Sequence, residues 1–113
     1  MTSHRIGPLA ELPLNLGLAT EIEGRPILVV RTDDGVFALD NLCPHSGARF
    51  NGAKAAKGKV VCPLHGARFD LETGLCRTSQ LGVLPPIVRH ETGVVDGMVE
   101  ITLTAAPMAQ PII

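Results

Sequence analysis

Apolar and polar positions alternate most clearly near the end of the chain. Val99, Ile101 and Leu103 interleave with Glu100, Thr102 and Thr104, the period of two expected of a strand with one buried face. Just upstream, Val94-Val95 is followed by Asp96-Gly97, so this segment predicts a hairpin closed by an Asp-Gly turn. A second apolar run, RPILVVRT over Arg25–Thr32, is rich in β-branched residues and ends at Asp33-Asp34-Gly35. Residues 36–39 resume the apolar pattern, which predicts another hairpin with the same turn chemistry. Residues 59–61 form a short apolar run directly before Cys62. No stretch sustains a helical period: residues 53–56 are too few and stand between Gly52 and Gly58. Twelve Gly and nine Pro are spread along the chain, so an all-β barrel or sandwich with many turns is predicted. No repeat or low-complexity segment stands out. The last nine residues, AAPMAQPII, hold two prolines and no charge. They read as a trailing arm whose apolar side chains can pack on the body or on a second subunit.

At 113 residues the chain predicts one domain. Trp and Tyr are absent and Phe numbers three, so the expected core is aliphatic. Net charge is -1, which offers no field for nucleic acid or a membrane surface. No apolar run approaches the roughly 20 residues that cross a bilayer. The opening residues, with His4, Arg5 and Pro8, do not resemble a secretory signal. Three cysteines make no even disulfide framework, so a reducing cytoplasm is the expected compartment. Charge is unevenly distributed. Between Cys43 and Gln80, Arg49, Lys54, Lys57, Lys59, Arg68 and Arg77 face only Asp70 and Glu72. This basic segment is either a solvated surface or a docking face for an acidic partner.

The chemistry-bearing residues lie inside that segment. Cys43-Pro44-His45 and Cys62-Pro63-Leu64-His65 each pair a thiol with an imidazole, separated by the sixteen residues 46–61. Both motifs stand where an apolar run gives way to Pro and Gly, which is where a strand ends in a loop. Two Cys and two His can close a four-ligand metal site. One occupant is an iron–sulfur cluster, in which soft thiolates hold iron and imidazole is an acceptable substitute. Another is a structural zinc ion. In a cluster, two neutral imidazoles in place of two thiolates remove negative charge and raise the reduction potential. Cys76, outside both motifs, reads as a small buried hydrophobe. His4 and His90 read as surface residues, and the DLETG segment at 70–74 as a simple turn.

The stretch CPHSGARFNGAKAAKGKVVCPLHGARFDLETG resembles the cluster-binding region of Rieske proteins, above all the soluble Rieske ferredoxins of bacterial aromatic-ring-hydroxylating dioxygenase systems. The likeness runs from about Ile6 to Leu103 and includes a Pro-rich third loop at Leu84-Pro85-Pro86. It implies an all-β Rieske-type sandwich or barrel with a small inserted cluster-binding subdomain. The expected division is a base at 1–40 and 85–104, a cluster-binding subdomain at 41–84 and an arm at 105–113. It implies one [2Fe-2S] cluster, with Cys43 and Cys62 on the inner iron and His45 and His65 on the outer iron, facing the partner. No residue is expected to be catalytic. Beyond the four ligands only His4 and His90 remain, too few for the mononuclear iron site of an oxygenase.

Departures from the high-potential, quinol-oxidising branch sharpen the expectation. Those relatives carry an extra Cys in each loop, where this chain has Ala48 and Leu64. They present Ser and Tyr hydroxyls where this chain has Ala67 and Phe69. Fewer hydrogen bonds to the sulfurs imply a potential near the low end of the Rieske range, about -150 mV. The expected partners are a flavin-containing reductase and a terminal oxygenase, with a monomer as the favoured state. The alternative is a redox-sensing or structural metal-binding module.

Overall fold

The computed structural model describes residues 3–44, 47–63, 66–76 and 86–104. Among these, nine strands form two sheets. The first follows the order β1-β9-β8-β4-β3-β2 and curls into a half-barrel. Its strands are β1 Ser3–Pro8, β2 Gly17–Ile22, β3 Arg25–Thr32, β4 Gly35–Asp40, β8 Arg89–Val95 and β9 Met98–Thr102. The second sheet is small, with order β5-β6-β7 and strands Ala55–Ala56, Lys59–Val61 and Arg68–Asp70. A 3-10 turn, Leu9–Glu11, is the one helical element among the described residues. The all-β expectation holds.

Turn chemistry fixes the pairing. Three two-residue hairpin loops place both loop residues at positive φ: Glu23-Gly24, Lys57-Gly58 and Asp96-Gly97. Their strands therefore meet in tight registers, with Ile22 opposite Arg25, Ala56 opposite Lys59 and Val95 opposite Met98. That is the backbone geometry whose twist matches the strands. The Asp96-Gly97 hairpin matches the sequence expectation. The β3–β4 hairpin differs in detail: Thr32 pairs with Gly35, so the loop is Asp33-Asp34 and Gly35 opens the next strand. The β2–β3 hairpin went unforeseen, because β2 carries Thr20 and Glu21 among its apolar residues.

Strand β3 is buried on both faces, which is why its sequence is a continuous apolar run and not an alternation. Leu28 and Val30 face the small sheet and pack with Leu39, Phe50, Val60, Phe69, Leu71 and Ile87. Ile27 and Val29 face the other way and pack with Ile22, Ala38, Val99 and Ile101. The second cluster is aliphatic, as composition suggests. The first is not: Phe50 and Phe69 are its largest fully buried side chains. Phe37, partly buried, packs against the same cluster, so all three phenylalanines gather there.

The segment before β2 ties the two sheets together. Asn15 N–H donates to Arg31 O at 2.7 Å, and Asn15 O accepts from Ala55 N at 2.9 Å. Gly17 N–H donates to Ala53 O at 2.7 Å, and Gly17 O accepts from Gly52 N at 3.0 Å. Glycine at 17 eases a close approach. A Cβ there would stand 2.7 Å from Leu28 Cδ1 and 3.1 Å from the Phe50 carbonyl oxygen.

Candidate metal centre

Both cysteines of the paired motifs are buried, Cys43 at 0% and Cys62 at 1% exposure. Each begins a loop of the same construction. In the first, Cys43 N–H donates to Ala48 O at 2.9 Å and Gly47 N–H donates to Cys43 O at 2.8 Å. In the second, Cys62 N–H donates to Ala67 O at 2.8 Å and Gly66 N–H donates to Cys62 O at 2.9 Å. The two glycines close these loops with φ of 76° and 74°, a conformation that only glycine adopts without steric cost. His45, Ser46, Leu64 and His65 lie outside the described residues, as do the third loop at 84–85 and the arm at 105–113.

The matching geometry comes from matching sequence. Residues 43–50, CPHSGARF, and 62–69, CPLHGARF, share six of eight residues. No repeat stood out in the sequence because the unit is only eight residues long and its two midpoints differ. Those differing midpoints carry the histidines, one at the third position and the other at the fourth.

Each loop continues into a buried Phe. Phe50 and Phe69 meet edge to face, with ring centroids 6.0 Å apart and planes at 83°, a favoured aromatic geometry. Arg49 and Arg68, both exposed, precede them. The Arg49 guanidinium donates to Asn41 O at 3.0 Å, so that side chain also braces its own loop. Cys76 is half-buried against the first core cluster, bridged to Phe69, in keeping with a small hydrophobe.

Two features were not anticipated. Asn41, 3% exposed, accepts the Phe50 N–H on Oδ1 at 2.6 Å and donates from Nδ2 to Asn51 Oδ1 at 2.6 Å. His90 is corrected from a surface residue to a buried one. Its Nδ1 accepts from Thr104 N–H at 3.0 Å, so its proton resides on Nε2, which donates to Asp40 Oδ1 at 2.8 Å. Arg25 donates to both Asp40 oxygens, at 2.6 and 2.7 Å. Burial pushes the Asp40 carboxyl up, but the hydrogen bonds from His90 and Arg25, with the Arg25 charge, outweigh it. The carboxyl is held below its ordinary value of 3.8. Nothing in the local sequence signals this trio, because its members come from three strands. The DLETG turn also does more than expected: Gly74 N–H donates to Asp70 O at 2.7 Å, and Gly74 O accepts from Ile87 N at 2.8 Å.

Paired, buried thiols on matched loops of an all-β domain mark a metal-binding protein with cysteine ligands. The chain belongs to the Rieske [2Fe-2S] domain family, whose pattern matches residues 3–84. Within it, the chain is a Rieske ferredoxin related to the ferredoxin components of dioxygenase systems. The ferredoxin subunit of anthranilate 1,2-dioxygenase from Burkholderia cepacia is 31% identical over 100 residues, covering 88% of this chain and 91% of the relative. The ferredoxin component of the naphthalene 1,2-dioxygenase system from Pseudomonas aeruginosa is 30% identical over 92 residues, covering 78% and 88%. The ferredoxin of carbazole 1,9a-dioxygenase from Nocardioides aromaticivorans IC177 superimposes with a TM-score of 0.81 at 27% identity. That match covers 92% of this chain and all of the other. These relatives are electron carriers and not enzymes.

Family membership implies one Rieske cluster as resident cofactor. The described residues fit it. Sulfur is the soft donor that iron in a sulfide cluster prefers. Cys43 and Cys62 supply two such donors at equivalent places. No helix among the described residues is long and apolar enough to cross a membrane.

Proposed function

We propose that Cys43, His45, Cys62 and His65 hold the [2Fe-2S] cluster and that the chain carries single electrons from a flavin-containing reductase to a terminal oxygenase. When bound, the cluster supplies one-electron redox chemistry. The observation that carries this reading is the pair of buried thiols, each opening a loop of the same backbone construction. Cys43 and Cys62 anchor as anions and are shielded from water. His45 and His65, at the unequal positions of the repeat, contribute neutral imidazole, which leaves the oxidised centre with less negative charge than four thiolates would.

The surroundings set the potential. Ala67 and Phe69 are fully buried and carry no hydroxyl, so neither side chain can donate to a sulfur. This supports a midpoint near the low end of the Rieske range, about -150 mV. The oxygenase partner is supported by the full-length relatives, which are named as dioxygenase components. Further parts of the proposal are a cytoplasmic monomer and a division into base (1–40 and 85–104), cluster-binding subdomain (41–84) and arm (105–113). The absence of a long apolar helix among the described residues is consistent with that compartment.

Electron paramagnetic resonance of the dithionite-reduced protein tests the ligand set. The g values of mixed His/Cys ligation are expected, together with iron and acid-labile sulfide. A colourless zinc protein, or an all-Cys spectrum, overturns it. Reduction by a flavin-containing reductase, followed by many oxygenase turnovers, tests the carrier role.

A further inference from the structure

We propose that Asn41 is a positioning residue for the centre: its side chain holds the first ligand loop in the form that the second loop holds with its main chain. The inference rests on the ligand assignment above. Aligned by their cysteines, the two loops place Asn41 where the second has Val60, each two residues before the Cys. In the second loop the antiparallel ladder continues past the cysteine. Val60 pairs with Phe69, and Lys59 with Asp70. In the first loop the ladder stops. Asn41 N–H is turned to Pro26 O at 3.0 Å, and Asn41 O is taken by the Arg49 guanidinium.

The Phe50 N–H, equivalent to that of Phe69, is met instead by Asn41 Oδ1 at 2.6 Å. Both residues are almost wholly buried, so water cannot replace the acceptor. The second amide function of Asn41 is used as well, on Asn51 Oδ1. A side-chain carboxamide thus performs in the first loop the task of a strand carbonyl in the second. Valine, which suffices at 60, offers no acceptor at 41. Without the carboxamide, the outgoing limb of the first loop loses its tie and a buried donor is left unsatisfied. The Cys43 thiolate then loses its fixed placement relative to Cys62.

The test compares Asn41→Ala, Asn41→Asp and Asn51→Ala in the cluster-loaded protein. It reads the rate of iron loss to a ferrous chelator, the g values of the reduced state and the midpoint potential. Asn41→Ala is expected to lose iron about tenfold faster, the scale of a missing buried hydrogen bond, with shifted g values. Asn41→Asp keeps an acceptor for Phe50 N–H and is expected to restore most of the lifetime. Asn51→Ala removes the outer tie only and is expected to move the same readouts less. Wild-type loss rates and g values in both alanine variants overturn the proposal. If Asn41→Ala does not fold, Asn51→Ala decides, because Asn51 is exposed and its truncation leaves the core intact. Wild-type behaviour there is the overturning result. A Cys43→Ser protein that keeps the wild-type spectrum would strike the ligand assignment instead.

Discussion

Phe50 and Phe69 stand edge to face at 6.0 Å, and each is the last residue of one copy of the eight-residue loop. Their contact joins the two loops behind the cysteines. Truncating either ring to Ala is expected to cost about 3–5 kcal/mol. In a double-mutant cycle the pair is expected to couple by about 0.5–1.5 kcal/mol. Urea unfolding of the single and double variants measures both quantities, and strict additivity would show that the rings act independently.

The sulfur environment makes a prediction about potential. Ala67 is fully buried and its carbonyl already holds Cys62 N–H. Ala67→Ser adds a hydroxyl where high-potential relatives carry one. The midpoint is expected to rise by about 40 mV, the one-electron equivalent of a hydrogen bond worth ~1 kcal/mol. Phe69→Tyr is expected to move it the same way, although its ring is enclosed against Phe50 and the new hydroxyl must find room. Protein-film voltammetry reads both, and an unchanged midpoint in both removes the hydroxyl argument.

Asp40 links acid stability to the base of the first loop. Its folded pKa lies below 3.8, so its contribution is fully present above that value. The contribution is lost as pH falls through the lower, folded pKa. Asp40→Asn breaks a buried pairing with Arg25 and is expected to cost about 3–5 kcal/mol at neutral pH. The gap between wild type and variant should narrow only as pH drops below 3.8. Urea midpoints at a series of pH values check this, and a gap that closes between pH 7 and 5 would contradict it.

Gly74 is the residue of the DLETG turn that cannot be replaced. Its φ is +78°, and a Cβ would stand 2.2 Å from the Ile87 carbonyl oxygen. The left-handed conformation alone costs roughly 1 kcal/mol for alanine. The clash is with backbone, so the chain itself must shift. Gly74→Ala is therefore expected to lower the melting temperature well beyond that of Gly52→Ala, whose φ is similar at +70° but whose Cβ meets nothing within 4 Å.

Local chemistry was legible in the sequence. The alternation across residues 98–103 and the Asp-Gly at 96–97 specify a hairpin from neighbours along the chain, and β8 and β9 form it. The Cys/His spacing is likewise a local signal, and it sufficed to place the chain among Rieske proteins. Strands β5 and β7 were not legible, since two or three residues show no period.

What the sequence alone determined, then, was the class of protein: short β strands, tight turns, and two Cys/His motifs in loops. Only the tertiary structure decided which distant groups meet. Asp40 and His90 are fifty residues apart in sequence, and their contact depends on strand register between β4 and β8. Gly17 looks like any other glycine until Leu28 and Phe50 close over it. Asn41 and Val60 look unrelated until the two loops are seen to share one backbone plan. Periodicity and motif spacing report interactions between neighbours along the chain. Long-range pairing follows from how strands align and from which buried polar groups still need a partner, and these are settled only when the sheets come together.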